Sequence, residues 1–360
     1  MGLKNASFWH GRRVFITGHT GFKGSWLSLW LHSLGADVGG FSLDPPTEPS
    51  LFKALKLDRN LDHHVGDIRD AELLARTMRE FKPEFVFHLA AQPLVRLSYK
   101  EPRLTYETNV MGTLNLYEAV RTCDSVCVVV SITTDKCYEN REWVWGYRES
   151  DSIGGYDPYS SSKGCAELLT AAYRSSYFSP KQYGKTHHVA LATARAGNVV
   201  GGGDWALDRL VPDCIRSLQN GENILIRNPR ATRPWQHVLE PLSGYLLLGQ
   251  HMSADGIGFS EGWNFGPGDD GVMDVENVAM NVIAAWGSGN YVIVPDADYH
   301  EAHLLKLDAS KARTLLGWHT TWNCEKAIRN SVEWYKDFIA GSDMHRKTIN
   351  QLGAYLAEAK

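Results

Sequence analysis

The sequence predicts an α/β fold, a doubly wound parallel sheet with a second, smaller mixed domain. Three observations predict it. Short apolar runs that are continuous rather than alternating recur in the first half: Val14–Thr17, Val38–Leu43, Phe85–Leu89 and Val126–Val130. Strands buried on both faces have this pattern. Helical patterns fall between and after them, at Trp26–Leu34, Asp70–Arg79, Leu104–Arg121 and Ser160–Tyr177; strand and helix in repetition imply a parallel sheet covered on both faces. Three glycines mark the passage from the first strand to the first helix.

Composition sets the outer bounds. The chain has 360 residues, 43% apolar and 22% charged, with a formal net charge of −4. That length buries a core without disulfides or metals, and the balance excludes a disordered, collagen-like or coiled-coil chain. No basic excess points to nucleic acid or an anionic membrane. The six cysteines, Cys123, Cys127, Cys137, Cys165, Cys214 and Cys324, form no CxxC pair and read as small buried hydrophobes. The start of the chain has no apolar signal region, and no 18-residue apolar run occurs, so a cytoplasmic protein is expected. Beyond about Val200 the elements shorten, and Trp and Pro are interspersed in loops such as Asn228–Pro234. The expected division is 1–190 for dinucleotide binding, with later segments returning to it, and 191–345 for the substrate.

The first strand leads into Thr17-Gly18-His19-Thr20-Gly21-Phe22-Lys23-Gly24. Its G-x-x-G-x-x-G spacing gives a tight turn, close backbone approach to a pyrophosphate, and a helix N-terminus whose N–H groups face it. This is the dinucleotide turn of a Rossmann sheet, with Gly18, Thr20, Gly21, Phe22 and Gly24 at the cofactor. Asp44 closes the second strand, where a carboxylate accepts from both ribose hydroxyls. No Lys or Arg follows until Lys53, which favours NAD over NADP; Lys23 is the residue that argues the other way. Asp67 and Ile68 are placed at the adenine edge. Leu89, Ala90 and Ala91 let the fourth strand end lie against the cofactor.

Tyr159 and Lys163 form Y-x-x-x-K at the start of a helix, on one face at i, i+4. The ammonium is expected to bring the phenol down toward working pH. The fifth strand ends in Ser131-Ile132-Thr133-Thr134-Asp135-Lys136, facing the crevice, where Thr134 can bind a hydroxyl and Asp135 and Lys136 can exchange protons with it.

The glycine turn, His88-Leu89-Ala90-Ala91, Tyr159/Lys163 and Arg195-Ala196-Gly197-Asn198-Val199 resemble the extended short-chain dehydrogenase/reductases. Thr134-Asp135-Lys136 resembles the nucleotide-sugar 4,6-dehydratases among them. Ala91–Arg96, Thr133–Lys136 and Arg233–Val238 are similar to their CDP-glucose branch. The resemblance implies a lyase that uses NAD for an internal redox dehydration. Tyr159 takes the O4 proton, Thr134 binds that oxygen and Lys163 holds the ribose; Lys136 removes the C5 proton and Asp135 protonates the departing C6 hydroxyl, or else Asp135 is itself the C5 base and Lys136 is the charge that stabilises the enolate. The dTDP-glucose dehydratases carry Thr-Asp-Glu here, so Lys136 stands where they have the base. Arg96, Asn198, Arg227, Arg233 and His237 are the expected nucleotide-sugar residues, with Arg233 foremost because Pro234-Trp235-Gln236-His237 should fix a rigid loop. Arg230, His303 and Lys306 are weaker candidates. His63-His64 and His187-His188 lack ligand company, so no metal is expected. The resemblance also implies a homo-oligomer, a dimer or dimer of dimers, through helices 104–121 and 160–177. The alternatives are a 4-epimerase, a C5-inverting dehydratase or a non-catalytic NAD-binding regulator.

Overall fold

The computed structural model describes residues 6–268, 271–294 and 304–359. The described strands, in chain order, are β1 Arg13–Thr17, β2 Asp37–Ser42, β3 Asp62–Val65, β4 Phe85–His88, β5 Val128–Ile132, β6 Ala190–Ala196, β7 Asn198–Val200, β8 Ile224–Ile226, β9 Thr232–His237, β10 Gly262–Phe265, β11 Val272–Asp274 and β12 Tyr291–Ile293. Seven of them form one sheet in the order β10-β6-β5-β4-β1-β2-β3, and every pairing in it is parallel. The strand order reverses between β1 and β4, the switch point at which such sheets bind ligands.

Side-chain alternation explains why the central strands read as unbroken apolar runs. Val14 and Ile16 of β1, Phe85 and Phe87 of β4, and Val128 and Val130 of β5 belong to one core layer with Trp26 and Trp30. Phe15, Val86 and Val129, one residue out of phase, belong to the opposite layer with Phe81 and Leu116. Both faces are covered, so neither can be polar.

Several helices differ from the sequence reading at their ends. The first runs over Phe22–Ser33, starting four residues early because Gly21 already caps it. The helix expected over 104–121 begins at Pro102 and widens into a π turn at Glu107–Met111 before Gly112–Arg121. The last helix of the sheet half spans Pro158–Ser176, with Asp157 at its N-cap and Pro158 in its first turn, both standard start signals.

The chain then leaves the sheet and returns. β7, β9 and β11 form a three-stranded sheet, and β8 pairs with β12. Helix Leu239–Asp255 lies almost wholly buried in the first core layer, and β10 pairs with β6. Residues 239–265 therefore pack with the central sheet, and only the stretches on either side build the cap. Near the C-terminus, Glu240 accepts from Thr321 N at 2.9 Å, Trp322 N at 2.8 Å and Tyr355 Oη at 2.9 Å, fixing the last helices to that buried element. Among the described residues no helix is long and apolar enough to cross a membrane.

Candidate active site

The three glycines of the first turn are required for different reasons. Gly18 has φ +77°, and a Cβ there would lie 2.7 Å from Ala90 N, so only glycine lets β1 end against the Leu89-Ala90 segment. At Gly24 a Cβ would stand 2.1 Å from Gly18 O, inside the turn itself. Gly21 is different: a Cβ there meets nothing of the chain closer than 3.4 Å. Gly21 is also the N-cap, and no side chain caps the helix. The helix thus presents uncapped backbone N–H groups at an open face, the arrangement a pyrophosphate requires.

The side chain of Thr20 is used in the fold. Its hydroxyl donates to Leu43 O at 2.9 Å and lies 2.8 Å from Ser42 Oγ, stitching the turn to the end of β2. Asp44 follows, exposed. Asp67 holds Arg69 through its backbone N–H at 2.9 Å and an ion pair of 2.6 Å, and the Arg69 guanidinium holds its carboxyl below the usual range. Ile68 is buried against Gly112. Beneath the turn, Thr17 Oγ1 lies 2.7 Å from His88 Nδ1 and Thr113 Oγ1 lies 2.9 Å from His88 Nε2. Burial, then the Lys163 charge, lowers this imidazole to about 3, so it stays neutral.

The catalytic candidates converge. Thr134 Oγ1 donates to Asp135 Oδ1 at 2.9 Å and accepts from Lys136 N at 3.3 Å, folding 134–137 into one tight turn. Asp135 is 2% exposed, and its other oxygen, Oδ2, has no hydrogen-bond partner in the chain. Burial raises this carboxyl, against the opposing charges of Lys136, Arg233 and Lys23. Tyr159 is held by its backbone N–H on Ser98 Oγ at 3.1 Å. Lys163 donates to Ile132 O at 3.2 Å, and burial brings it down to about 8. The π turn places Asn109 between Gln92 and Ser162, accepting from Gln92 N at 2.8 Å and donating to Ser162 Oγ at 2.9 Å. Extra turns of this kind recur at functional sites.

One electrostatic expectation is reversed. The Tyr159 phenol is pushed up to about 12 by burial, relieved first by the Thr134 hydroxyl and among cations by Arg209. Lys163 instead spends its ammonium on the Ile132 carbonyl. Desolvation of a buried phenol outweighs one nearby charge that is itself desolvated.

On the cap side the picture is mixed. Arg233 lies on β9 close enough to Asp135 to stabilise its anion, and Asn198 opens β7, paired in register with Trp235. Arg227 binds Asp208 at 3.0 Å and Arg96 approaches the same carboxylate at 3.7 Å. Arg230 is highly exposed, 3.9 Å from Glu276. Two expectations are corrected. Pro234-Trp235-Gln236-His237 is not a loop: it is β-strand, because Thr232–His237 pairs with both β7 and β11. His237 is not on the crevice: it is 0% exposed, edge-on to Trp26 at 5.9 Å and Trp322 at 5.0 Å, and burial lowers it to about 3. Lys306 lies two residues after Leu304, which bridges to Thr232 of β9, and its carbonyl accepts from Tyr147 N at 2.9 Å; His303 falls outside the described residues.

The sequence reading passed over a cluster of charges. Lys23 is turned into the crevice: burial, then Arg209, lowers it to about 8, and Asp135, Lys163 and Asp204 all act on it. Arg209 pairs with Asp204 at 2.6 Å, and Asp204 is held by Tyr335 Oη through its N–H at 3.0 Å and its carbonyl at 2.5 Å. No spacing rule links positions 23, 204, 209 and 335. Lys23 alone carried a signal, as a cation inside a dinucleotide turn. Among the described residues no group of three His, Cys, Asp or Glu is placed to hold a metal.

Comparisons with known proteins agree with this geometry. Residues 15–331 match the family described as GDP-mannose 4,6 dehydratase. The chain is 54% identical over 98% of its length, and 98% of the other, to the CDP-glucose 4,6-dehydratase of Salmonella typhimurium. It is 28% identical to a dTDP-glucose 4,6-dehydratase of Xanthomonas campestris, over 89% of this chain and 92% of that one. Among solved structures, a dTDP-glucose 4,6-dehydratase from Streptomyces venezuelae with NAD bound superposes with a TM-score of 0.78 at 24% identity, covering 92% and 99% of the two chains. The chain belongs to the GDP-mannose 4,6 dehydratase family, nucleotide-sugar 4,6-dehydratases within the extended short-chain dehydrogenase/reductases.

Proposed function

We propose that the chain is a CDP-glucose 4,6-dehydratase, an NAD-dependent lyase forming CDP-4-keto-6-deoxyglucose. The observation that carries the substrate is the 54% identity, end to end, with an enzyme of that name. The site supports the chemistry, since it has a tyrosine–lysine pair beside a buried carboxyl with one oxygen unengaged by the protein.

The glycine turn fits NAD. Gly18, Gly21, Phe22 and Gly24 would hold the pyrophosphate, Asp44 the adenosine ribose, Asp67 and Ile68 the adenine, and Leu89, Ala90, Ala91 and Lys163 the nicotinamide end. NAD supplies, when bound, an acceptor for the C4 hydride that is afterwards returned to C6. Tyr159 takes the proton of the sugar O4, with Thr134 hydrogen-bonding that oxygen. The resulting 4-keto group acidifies C5, and Lys136 removes the C5 proton. Asp135, whose carboxyl burial raises, gives a proton to the C6 hydroxyl as water leaves. Arg233, with Arg96, Asn198 and Arg227, receives the nucleotide diphosphate. His237 has no contact role in this reading; at the end of β9 it packs against Trp26 and Trp322.

An epimerase has no use for an acid and a base at C6 and C5, so the Asp135-Lys136 pair opposes that reading. The assembly belongs to the proposal as a homodimer or dimer of dimers, supported by Met111 at 48% and Leu168 at 61% exposure on the two helices concerned. A cytoplasmic location is supported by six cysteines that are all free. The deciding experiment incubates the protein with NAD and separately with CDP-, dTDP-, UDP- and GDP-sugars, following the 4-keto-6-deoxy product by NMR. CDP-glucose should be turned over fastest with C5 configuration retained. Turnover of another nucleotide sugar in preference, a C4 epimer, or an inverted C5 sinks the reading.

A further inference from the structure

We infer that the buried Glu167–Arg195 ion pair grips the Thr134-Asp135-Lys136 turn from both of its ends, which makes Thr133, Tyr138, Glu167 and Arg195 positioning residues of the reaction. The inference rests on the proposal that this turn carries the reacting groups.

The turn is bracketed in sequence by Thr133 and Tyr138, and the pair holds both. Glu167 Oε1 accepts from Thr133 Oγ1 at 2.5 Å and Arg195 Nε at 2.8 Å. Glu167 Oε2 accepts from Thr193 Oγ1 and from a terminal nitrogen of Arg195, both at 2.8 Å. The other terminal nitrogen of Arg195 donates to Tyr138 Oη at 2.6 Å and to Glu149 O at 3.2 Å. Tyr138 Oη in turn donates to Asn264 Oδ1 at 2.8 Å. Every link joins different elements: the helix Pro158–Ser176, β5's end, β6 and β10. Tyr138 is further fixed by stacking on Tyr147, ring centres 5.2 Å apart and 18° from parallel.

The polar groups of these residues are bonded to one another within the fold. Thr133 is 6% exposed, Tyr138 1%, Glu167 3% and Arg195 5%. Burial pushes the Glu167 carboxyl up, but Arg195 and the two threonine hydroxyls outweigh it and hold it below its ordinary range. A buried ion pair adds little net stability over well-packed hydrophobes, so its geometry is the better account of it. Glu167 also lies one helical turn beyond Lys163, whose ammonium reaches Ile132 O next to Thr133. One carboxylate thereby ties the lysine's helix to the reacting turn. Asp135 bonds through Oδ1 to Thr134 within the turn itself and not through Oδ2, so the frame that holds the turn sets its place in the crevice.

The test uses isosteric cuts that leave the ion pair intact. Thr133→Val removes one tether, Tyr138→Phe the other, and Thr133→Ser keeps the hydroxyl. Each is assayed as the full-length enzyme with CDP-glucose and NAD for kcat, KM, NAD affinity and melting temperature. Because small misplacements of reacting groups cost orders of magnitude, each cut should lower kcat roughly tenfold and the double variant roughly 100-fold. KM and NAD affinity should stay within about twofold, and Thr133→Ser within about threefold of the parent. The double variant should also accumulate bound NADH, as elimination lags behind oxidation. A kcat within threefold of the parent in the double variant, an equal loss in Thr133→Ser, or a matching fall in NAD affinity would overturn the inference. Asp135→Asn run alongside separates the two levels: full activity there removes the reading of the turn, whereas loss there with an unaffected double variant removes the positioning role alone.

Discussion

The two walls of the crevice are organised differently. On the sheet side, the reacting groups are drawn from short, continuous motifs. Thr134, Asp135 and Lys136 are consecutive, Tyr159 and Lys163 are one helical turn apart, and the glycine turn is continuous with β1. On the cap side, groups are placed by distant partners. Arg209 depends on Asp204, which depends on Tyr335 more than a hundred positions later, while Arg227 shares Asp208 with Arg96, which comes from the sheet half of the chain. The reacting groups of the first wall come from short stretches of sequence, although the frame that holds them is built from distant residues; the groups of the second are themselves brought together only by the folded chain.

The largest effects should separate the walls by kinetic type. On the sheet side, Tyr159→Phe and Asp135→Asn remove a base and an acid that act in transition states, and each should cut kcat by about 10²–10⁴-fold. On the cap side, Arg233→Ala removes binding shared by ground and transition states, and KM should rise with kcat largely kept. Steady-state kinetics with CDP-glucose read both. A pure kcat loss in Arg233→Ala would place that guanidinium among the reacting groups and break the contrast.

Within the sheet wall, two glycines sharpen what local construction means. Gly24→Ala forces a Cβ into Gly18 O, so the turn must shift and the protein should lose stability by several kcal/mol. Gly21→Ala meets only an ordinary contact, Gly18 O at 3.4 Å, so melting should be nearly unchanged while NAD affinity falls at least tenfold. Calorimetry on the two variants gives the answer; equal loss of stability in both would mean Gly21 serves the fold and not the cofactor.

This contrast also explains what could be read in advance. The sheet strands, the glycine turn and Tyr159/Lys163 were legible because periodicity and short spacing encode them. The electrostatics of that wall were not: the sequence shows Lys163 four residues from Tyr159 but not the Ile132 carbonyl that engages it, nor how deeply the phenol is buried. On the cap, Arg233 was legible as an arginine near a proline, yet its neighbours Pro234–His237 were misjudged. Their alternation is weak, and their strand character comes from pairing with β7 and β11. His237 looked like a ligand-binding residue because its type is polar; only the packed Trp26 and Trp322 reveal that it lies in the core. Lys23 was noticed only as a cation within the dinucleotide turn, and Asp204 and Arg209 were missed, because no sequence rule brings positions 23, 204 and 209 together.

His237 offers a smaller effect with a definite sign. Its pKa is about 3 in the fold against roughly 6.5 in an unfolded chain. The unfolded state therefore binds the extra proton between those values, and stability contributed by this residue is present above pH 6.5 and is lost as pH falls toward 3. His237→Leu should lower by about one the protons taken up on unfolding near pH 5, as read from urea unfolding across pH. It should leave KM unchanged. A raised KM would return His237 to the substrate wall.

The smallest expected effect probes the cap's most distant contact. Asp208 has φ +59°, a conformation asparagine tolerates, so Asp208→Asn removes charge without forcing the backbone. Its two pairs are partly exposed, with side chains 25–41% accessible, and such pairs contribute about 0–1 kcal/mol each. Stability should therefore change by less than about 2 kcal/mol. Binding should respond in the other direction. If Arg96 and Arg227 receive the nucleotide diphosphate, the Asp208 carboxylate competes with it for the same two guanidinium groups. Freeing them should lower KM for CDP-glucose by a few-fold at low ionic strength, with the gain fading as salt screens the charges. A higher KM would show instead that Asp208 holds the arginines ready, and an unchanged KM at every salt concentration would take both arginines out of the substrate site. In that last case the cap would read its nucleotide through Arg233 and Asn198 alone, and the two walls would be less unlike than their contacts suggest.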